Sequence, residues 1–301
     1  MADTESHSEV RNMQIQEALD QYLVQLEGDG RSHHTVHQAR RHVRMLAVWV
    51  GATDIAAIKH EDVARFLASD IVRKRADGKP RKPSSGNSLR SSLRAFFAYA
   101  HASGLATTNA ARLVRRATCA PARPRALSDS DCAKLMAALA TATTPAEKRD
   151  RALFTVMLRC GVRVGSAVAV EIPDLDLASG EMRLRRMKNG DEDVVYVPDD
   201  VVPLLREHVG DHTTGPVFSA RGGSRLSTRV VGKRLEAWAK RAGIEQRVYP
   251  HRLRHSFGMR VFARTGDVLV TARAMCHRSI ASTAVYARPE AGRVRDAVAA
   301  P

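Results

Sequence analysis

Along the first hundred residues the apolar positions recur at three- and four-residue intervals. Ile15, Ala18, Leu19, Tyr22, Leu23 and Leu26 form one series, Val36, Ala39, Val43 and Leu46 a second, and Val63, Phe66 and Leu67 a third. Side chains at that spacing share one helix face, so three amphipathic helices are predicted. A fourth is predicted to begin after SSGNS (84–88) and run through LRSSLRAFFAYAHASG, with Leu89, Leu93, Phe96, Phe97 and Ala100 on one side and Gly104 as its stop. The first half therefore reads as a four-helix unit.

Past residue 115 the pattern changes. RRATCAPARPRALSDSD mixes Pro, Arg and Ala without apolar periodicity, then meets Ser128 with Asp131 three residues later, a helix-start signal. Helices are predicted from Asp129 to Ala140, from Ala146 to about Cys160, and after Gly161, the last carrying Val164, Ala167, Val168 and Val170. Two short alternating runs, EMRLRRM and DVVYVP, flank KNGDE, where Asn189-Gly190 is a tight-turn signal, so a β-hairpin is expected. Ser227 starts a helix that Gly243 ends, and Pro250 opens another at HRLRHSFGMRVFARTG. The expected class is mainly α with a small β-sheet. The boundaries read as a disordered start over 1–12, a helical domain over 13–114, a basic linker over 115–127, and a second domain with its tail over 128–301.

Charge narrows the partner. The 301 residues carry 48 Lys plus Arg against 32 Asp plus Glu, a formal net charge of +16, which points to a polyanion. A 44% hydrophobic content excludes wholesale disorder. Aromatics at 5% weigh against a single-strand binder built on rows of stacking rings, leaving the phosphates of a duplex as the better match. From Ile71 to Arg94 the chain holds eight basic residues, Arg73, Lys74, Arg75, Lys79, Arg81, Lys82, Arg90 and Arg94, and one acid, Asp77. A solvated loop would explain such a run, but the Gly, Pro and Ser between the charges suggest a mobile arm lying on a DNA backbone. Arg115, Arg116, Arg123 and Arg125 would let the linker follow the same duplex. Four scattered cysteines, Cys119, Cys132, Cys160 and Cys276, form neither a disulfide framework nor a CxxC metal pair, so no metal or cofactor is expected. No apolar stretch has the length of a membrane span and the start lacks a signal-peptide pattern, so a cytoplasmic, nucleoid-associated protein is expected.

Three clusters carry chemistry. In CGVRVGSAVAV, Arg163 sits among apolar residues at a helix start, where a guanidinium needs a partner; an ordinary acid would satisfy it as well as a substrate would. In PHRLRHSF, His251 and His255 share a helix face with Arg254 beside them. Arg252 stands where a metalloprotease needs Glu, so an anion site or a plain charged surface helix remain the two readings. MCHRSIASTAVYARPE holds His277 and, nine positions on, Tyr286.

Taken together these segments resemble the tyrosine recombinase (phage integrase) family: CGVRVGSAVAV is similar to its first arginine box, PHRLRHSF to its HxLRH box, and MCHRSIASTAVY to its LGH…TxxY box, in the family's order. EKRDRALFTVMLRCG, the strand pair with Lys188 at its turn, and TNAARL extend the resemblance over about residues 13 to 290. It implies a simple two-domain Xer-like or transposon-type member, with a four-helix core-binding domain and an α+β catalytic domain closing as a C-shaped clamp on double-stranded DNA. It further implies cutting and rejoining through a 3′-phosphotyrosyl intermediate, in integration, excision or resolution. By position, Arg163 and Arg254 would clamp the scissile phosphate, Lys188, His251 and His277 would assist proton transfer and charge stabilisation, and Tyr286 would be the nucleophile. His255 is expected to be a structural neighbour. Partners implied are a second copy on one site, a tetramer in the synapse, and an accessory protein as a further candidate; the segment after Tyr286 would dock on a neighbouring protomer.

The implied chemistry is physically coherent. Two planar guanidinium groups suit a phosphodiester gaining charge, a lysine on a hairpin turn suits protonation of a leaving 5′ oxygen, and a tyrosyl phosphate ester conserves the bond for rejoining. Two positions depart from the family pattern: Ser166 replaces an acid three residues after the first arginine, and Cys276 replaces the glycine before the third-box histidine. Two alternatives stay open on sequence alone, a type IB topoisomerase that relaxes DNA and a catalytically silent DNA-binding protein.

Overall fold

The computed structural model describes residues 13–119, 125–185, 192–287 and 299, and the chain divides into two compact units, Met1–Ala120 and Pro121–Pro301. The start expected to be disordered, Lys188 and its turn, Arg123, and all but one residue of the tail after Ala287 lie outside the described residues.

In the first unit, α1 (Ile15–Gly28), α2 (His33–Val50), α3 (His60–Ala68), the short α4 (Asp70–Arg73) and α5 (Pro83–Ala102) enclose an apolar core. Every residue named in the first two hydrophobic series is buried, as are Val63 and Phe66 of the third, because each series occupies the inward stripe of its helix. Tyr22, Phe96 and Phe97 meet at ring separations of 5.7 and 5.2 Å. Ser32 caps α2 by accepting from the Thr35 amide at 3.2 Å. α5 begins at Pro83, earlier than the periodicity indicates. Proline suits a first helical position, and Asn87 is buried in the opening turns, where its amide donates to Ala117 O at 3.0 Å and accepts from Ala117 N at 2.7 Å.

The basic segment before α5 is not an open arm. Arg75 N donates to Lys79 O at 2.8 Å and Arg81 N to Arg73 O at 2.7 Å, closing a tight turn in which Gly78 takes φ +74°. Gly and Pro, read as signs of mobility, serve that turn. Lys74 pairs with Asp70 at 2.7 Å and Arg75 with Asp77 at 3.5 Å.

The second unit is built around α7 (Pro145–Arg159), which packs against α6 (Asp129–Ala140), α9 (Val202–Val209) and α11 (Pro250–Thr265). From Ala152 to Leu158 every residue of α7 is buried, the pattern of a helix surrounded by core. Its capping box, Thr144 with Glu147, and the Ser128 cap of α6, which accepts from Asp131 N at 3.1 Å, set the entry points. Buried Asp150 ties α7 to α10 (Thr228–Arg241): it accepts from Trp238 Nε1 at 3.0 Å and pairs with Arg234 and Arg149.

The predicted hairpin forms as β2 (Glu181–Arg185) and β3 (Glu192–Tyr196), antiparallel with Leu184 opposite Asp193, and β1 (Leu175–Asp176) adds a third strand. The helix after Gly161 stops early, as α8 (Val164–Ala167); Val170 leaves it and accepts a bond from Val217 N at 3.0 Å. α12 (Val268–Ala274) follows α11. Part of the segment read as linker is fastened to α11: Arg252 donates to Arg125 O and Ala126 O, both at 3.0 Å, and Ser256 Oγ accepts from Leu127 N at 2.8 Å. Among the described residues no helix is long and apolar enough to cross a membrane.

Candidate active site

The fold brings Arg163, His251, Arg254, His277 and Tyr286 together in the second unit; Lys188 lies outside the described residues. Arg163 caps α8, where it is exposed, and donates through Nη1 to Cys276 O at 3.4 Å. Arg254, one turn into α11, is 3% exposed and held by two backbone carbonyls, donating through Nη1 to Gly161 O at 2.6 Å and through Nη2 to Met275 O. Burial, then the neighbouring Arg163 charge, pulls its guanidinium down to about 10. A buried cation beside a second cation creates a strong preference for an anion between them.

Backbone conformation places those carbonyls. Gly161 takes φ +67°, and a Cβ there would drive into the Phe257 ring, so no other residue fits. Cys276 takes φ +49°, a left-handed conformation that costs a side-chain-bearing residue energy. The family's glycine at this place thus has a structural reason, and Cys276 retains the backbone shape without it.

A cleft of about 570 Å³ opens at this point, lined among others by Arg163, Ser166, Asp193, Arg254, Cys276 and His277. Asp193 on β3 brings a carboxylate to the same cleft as Ser166, where the family carries its acid; nothing in the spacing of the arginine box identifies a strand residue thirty positions on. His277 Nδ1 is hydrogen-bonded to the buried Thr283 hydroxyl at 2.7 Å, and burial followed by the Arg254 and Arg163 charges holds its ring at about 4. His251 shares a second recess with Arg163 and Arg254 and is lowered by burial and by the same two charges.

Tyr286 is 5% exposed and its phenol is raised by burial, which outweighs the opposing pull of Arg254 and Arg163. Its ring rests against α11 where Gly258 leaves room: a Cβ at Gly258 would stand 2.8 Å from Tyr286 Cζ and 2.6 Å from Met275 Sδ. Its hydroxyl is hydrogen-bonded to His255 Nδ1 at 2.8 Å, so His255 is not merely the helix neighbour that spacing suggests. Among the described residues no cluster of three or more His, Cys, Asp or Glu is arranged to hold a metal ion.

The expected DNA contacts Arg73, Lys74, Arg75, Lys79, Lys82, Arg94, Arg115 and Arg116 are exposed on the first unit, where Arg81 and Arg90 are half-buried; Arg125 is exposed on the second, and Arg123 lies outside the described residues.

Comparison with known proteins gives consistent relatives. Residues 125–293 match the phage integrase family and residues 19–104 the phage integrase N-terminal SAM-like domain. The tyrosine recombinase XerC of Xanthomonas campestris pv. campestris is 32% identical over 279 residues, covering 89% of this chain and 83% of the relative. XerC of Chromobacterium violaceum is 29% identical over 279 residues, 90% of each chain. Among solved structures, the fold is shared with lambda integrase, both as a dimer bound to a COC′ core site (TM-score 0.70, 19% identity, 90% of this chain and 97% of that chain) and as a tetramer bound to a Holliday junction (TM-score 0.69, 19% identity, 89% and 78%).

Proposed function

The chain belongs to the phage integrase family and is a site-specific tyrosine recombinase, and from that premise we propose that Tyr286 is the nucleophile and that Arg163 and Arg254 grip the scissile phosphate in the cleft between α8 and α11. The observation that carries this assignment is Arg254: a buried guanidinium fixed by two backbone carbonyls, with Arg163 and the Tyr286 phenol close enough to shift its proton affinity, the first downward and the second upward. As the phosphorus is attacked, charge grows on its equatorial oxygens, and fixed guanidinium donors stabilise that state without reorganising. The Tyr286 oxygen forms a bond to phosphorus, the 5′ oxygen leaves and is protonated by Lys188, and His251 and His277 add donors around the phosphate. Neutral histidines suit this last role, since His277 is held unprotonated at neutral pH.

The substrate is double-stranded DNA, met by the basic residues of the first unit and by Arg125. The working assembly is a dimer on one site and a tetramer in the synapse, as in the lambda integrase complexes. An accessory protein that sets direction is a further candidate partner, the tail after Ala287 docks on a neighbouring protomer, and the work is done on cellular DNA in the cytoplasm.

The test incubates wild type and Tyr286→Phe with supercoiled plasmid carrying the gene and its flanking DNA, quenched with denaturant. DNA covalently bound to wild type alone is expected, and mapping it locates the site. Equal linkage by Tyr286→Phe would remove Tyr286 from the role.

A further inference from the structure

Sequence spacing marks His255 as a neighbour of Arg254, but the fold puts its ring on the nucleophile. We propose that His255 takes the phenolic proton of Tyr286 as the phosphotyrosyl bond forms, which makes it a further catalytic residue; the inference rests on Tyr286 being the nucleophile. His255 Nδ1 is 2.8 Å from the Tyr286 hydroxyl, within the reach a general base requires, and the two rings meet edge to face with centroids 5.8 Å apart. The contact is built: Gly258, one turn further along α11, leaves the space that the tyrosine ring fills, and Met275 lies at the same point. Arg254, His255 and Gly258 thus place the phosphate grip, the proton acceptor and the floor under the ring on neighbouring turns of one helix.

The two histidines of the box face different tasks. His251 lines a recess with Arg163 and Arg254, whereas His255 is on the tyrosine, with the rings of the pair 4.6 Å apart. The charged and titratable groups around His255 are His251 and Arg254 on its own helix, and His277 and Tyr286 from the C-terminal segment. Burial, then His251 and Arg254, hold His255 near 4, so its ring is neutral and one nitrogen has a free lone pair. An anionic phosphate seated between Arg163 and Arg254 offsets the positive field and makes the ring more basic when the proton must move. In the step itself the Tyr286 oxygen bonds to phosphorus and its proton passes to Nδ1. The bond from phosphorus to the 5′ oxygen breaks, and that oxygen is protonated by the acid. Rejoining reverses each transfer, so protons balance over the cycle.

Nitrogen-15 NMR of the histidine rings in the full chain, assigned by difference against His255→Asn, reads the tautomer directly. The expected form carries hydrogen on Nε2 and none on Nδ1; hydrogen on Nδ1, donated to the phenol oxygen, overturns the proposal. On the same plasmid, His255→Asn keeps an amide near the Nδ1 position but cannot take a proton, so covalent linkage is expected to slow by about 100-fold or more with DNA affinity unchanged. Linkage within threefold of wild type would reduce His255 to holding the ring, overturning the base role. If His255→Asn does not fold, the wild-type tautomer decides. Linkage that persists in Tyr286→Phe removes the nucleophile reading and this proposal with it, a result distinct from a His255 failure, in which Tyr286→Phe alone is dead.

Discussion

Replacing Cys276 by glycine and, separately, by alanine turns the left-handed backbone at the cleft into a measurable sign. At φ +49° a residue with a Cβ bears about 1–2 kcal/mol of strain that glycine escapes. Glycine in turn loses about 0.4–1 kcal/mol through the greater freedom of its unfolded chain. Both variants remove the sulfur, so its packing cancels in the comparison. Cys276→Gly is therefore expected to be more stable than Cys276→Ala by about 0.5–1 kcal/mol, whereas at an ordinary position alanine is the more stable. For a domain of this size that is a melting difference of about 1–4 °C. The assay is thermal unfolding followed by Trp238 fluorescence in a Trp49→Phe background, because Trp238 is buried in the second unit and Trp49 belongs to the first. An alanine variant that melts at or above the glycine variant would refute the claim that this peptide is strained.

Three further outcomes are expected. Gly258→Ala places a methyl 2.8 Å from Tyr286 Cζ, and should cost about 1–3 kcal/mol and abolish covalent linkage on the plasmid while salt-sensitive DNA binding, read by mobility shift, persists; full linkage would contradict the packing. His255 and His277 are held at about 4 against about 6.5 in an unfolded chain, so the unfolded state takes up protons the folded state refuses. Stability from these groups is complete above about pH 6.5 and falls as pH drops toward 4; melting temperature against pH should show that slope, and His277→Gln should flatten it. Replacing exposed Arg73, Lys79 and Lys82 by alanine should weaken DNA binding uniformly across sequences and reduce the slope of log affinity against log salt by about 0.9 for each phosphate no longer neutralised; an unchanged slope would take this turn off the DNA.

What was legible in the sequence was whatever obeys a period or a short motif. The stripes of α1, α2 and α5 needed only the 3.6-residue repeat, and the three boxes, though far apart along the chain, supplied Arg163, Arg254, His277 and Tyr286 together. What escaped depends on pairing between distant segments. β1 is two residues long and exists because Leu175 meets Met182. α9 offers only Val202 and Leu205 to the core, too few for a recurring pattern. The basic turn looked open because its backbone bonds, such as Arg81 to Arg73, carry no side-chain signature. His255 was passed over for a related reason: its partner is thirty-one residues away, and no spacing rule joins them.

The two arginines share a structural logic that bears on the missing acid at Ser166. Arg254 is oriented by the carbonyls of Gly161 and Met275, and Arg163 by that of Cys276. Gly161 and Cys276 are themselves in left-handed conformations, and Met275 directly precedes one. A carboxylate that pairs with an arginine would hold it and also neutralise it, whereas a carbonyl holds it and leaves the charge for the substrate. The site therefore combines local backbone strain and fixed carbonyl dipoles with the Asp193 carboxylate, whose charge acts on Arg254 from β3, to keep two like charges together, an arrangement that in the proposed role favours the phosphate most strongly when its own charge is growing.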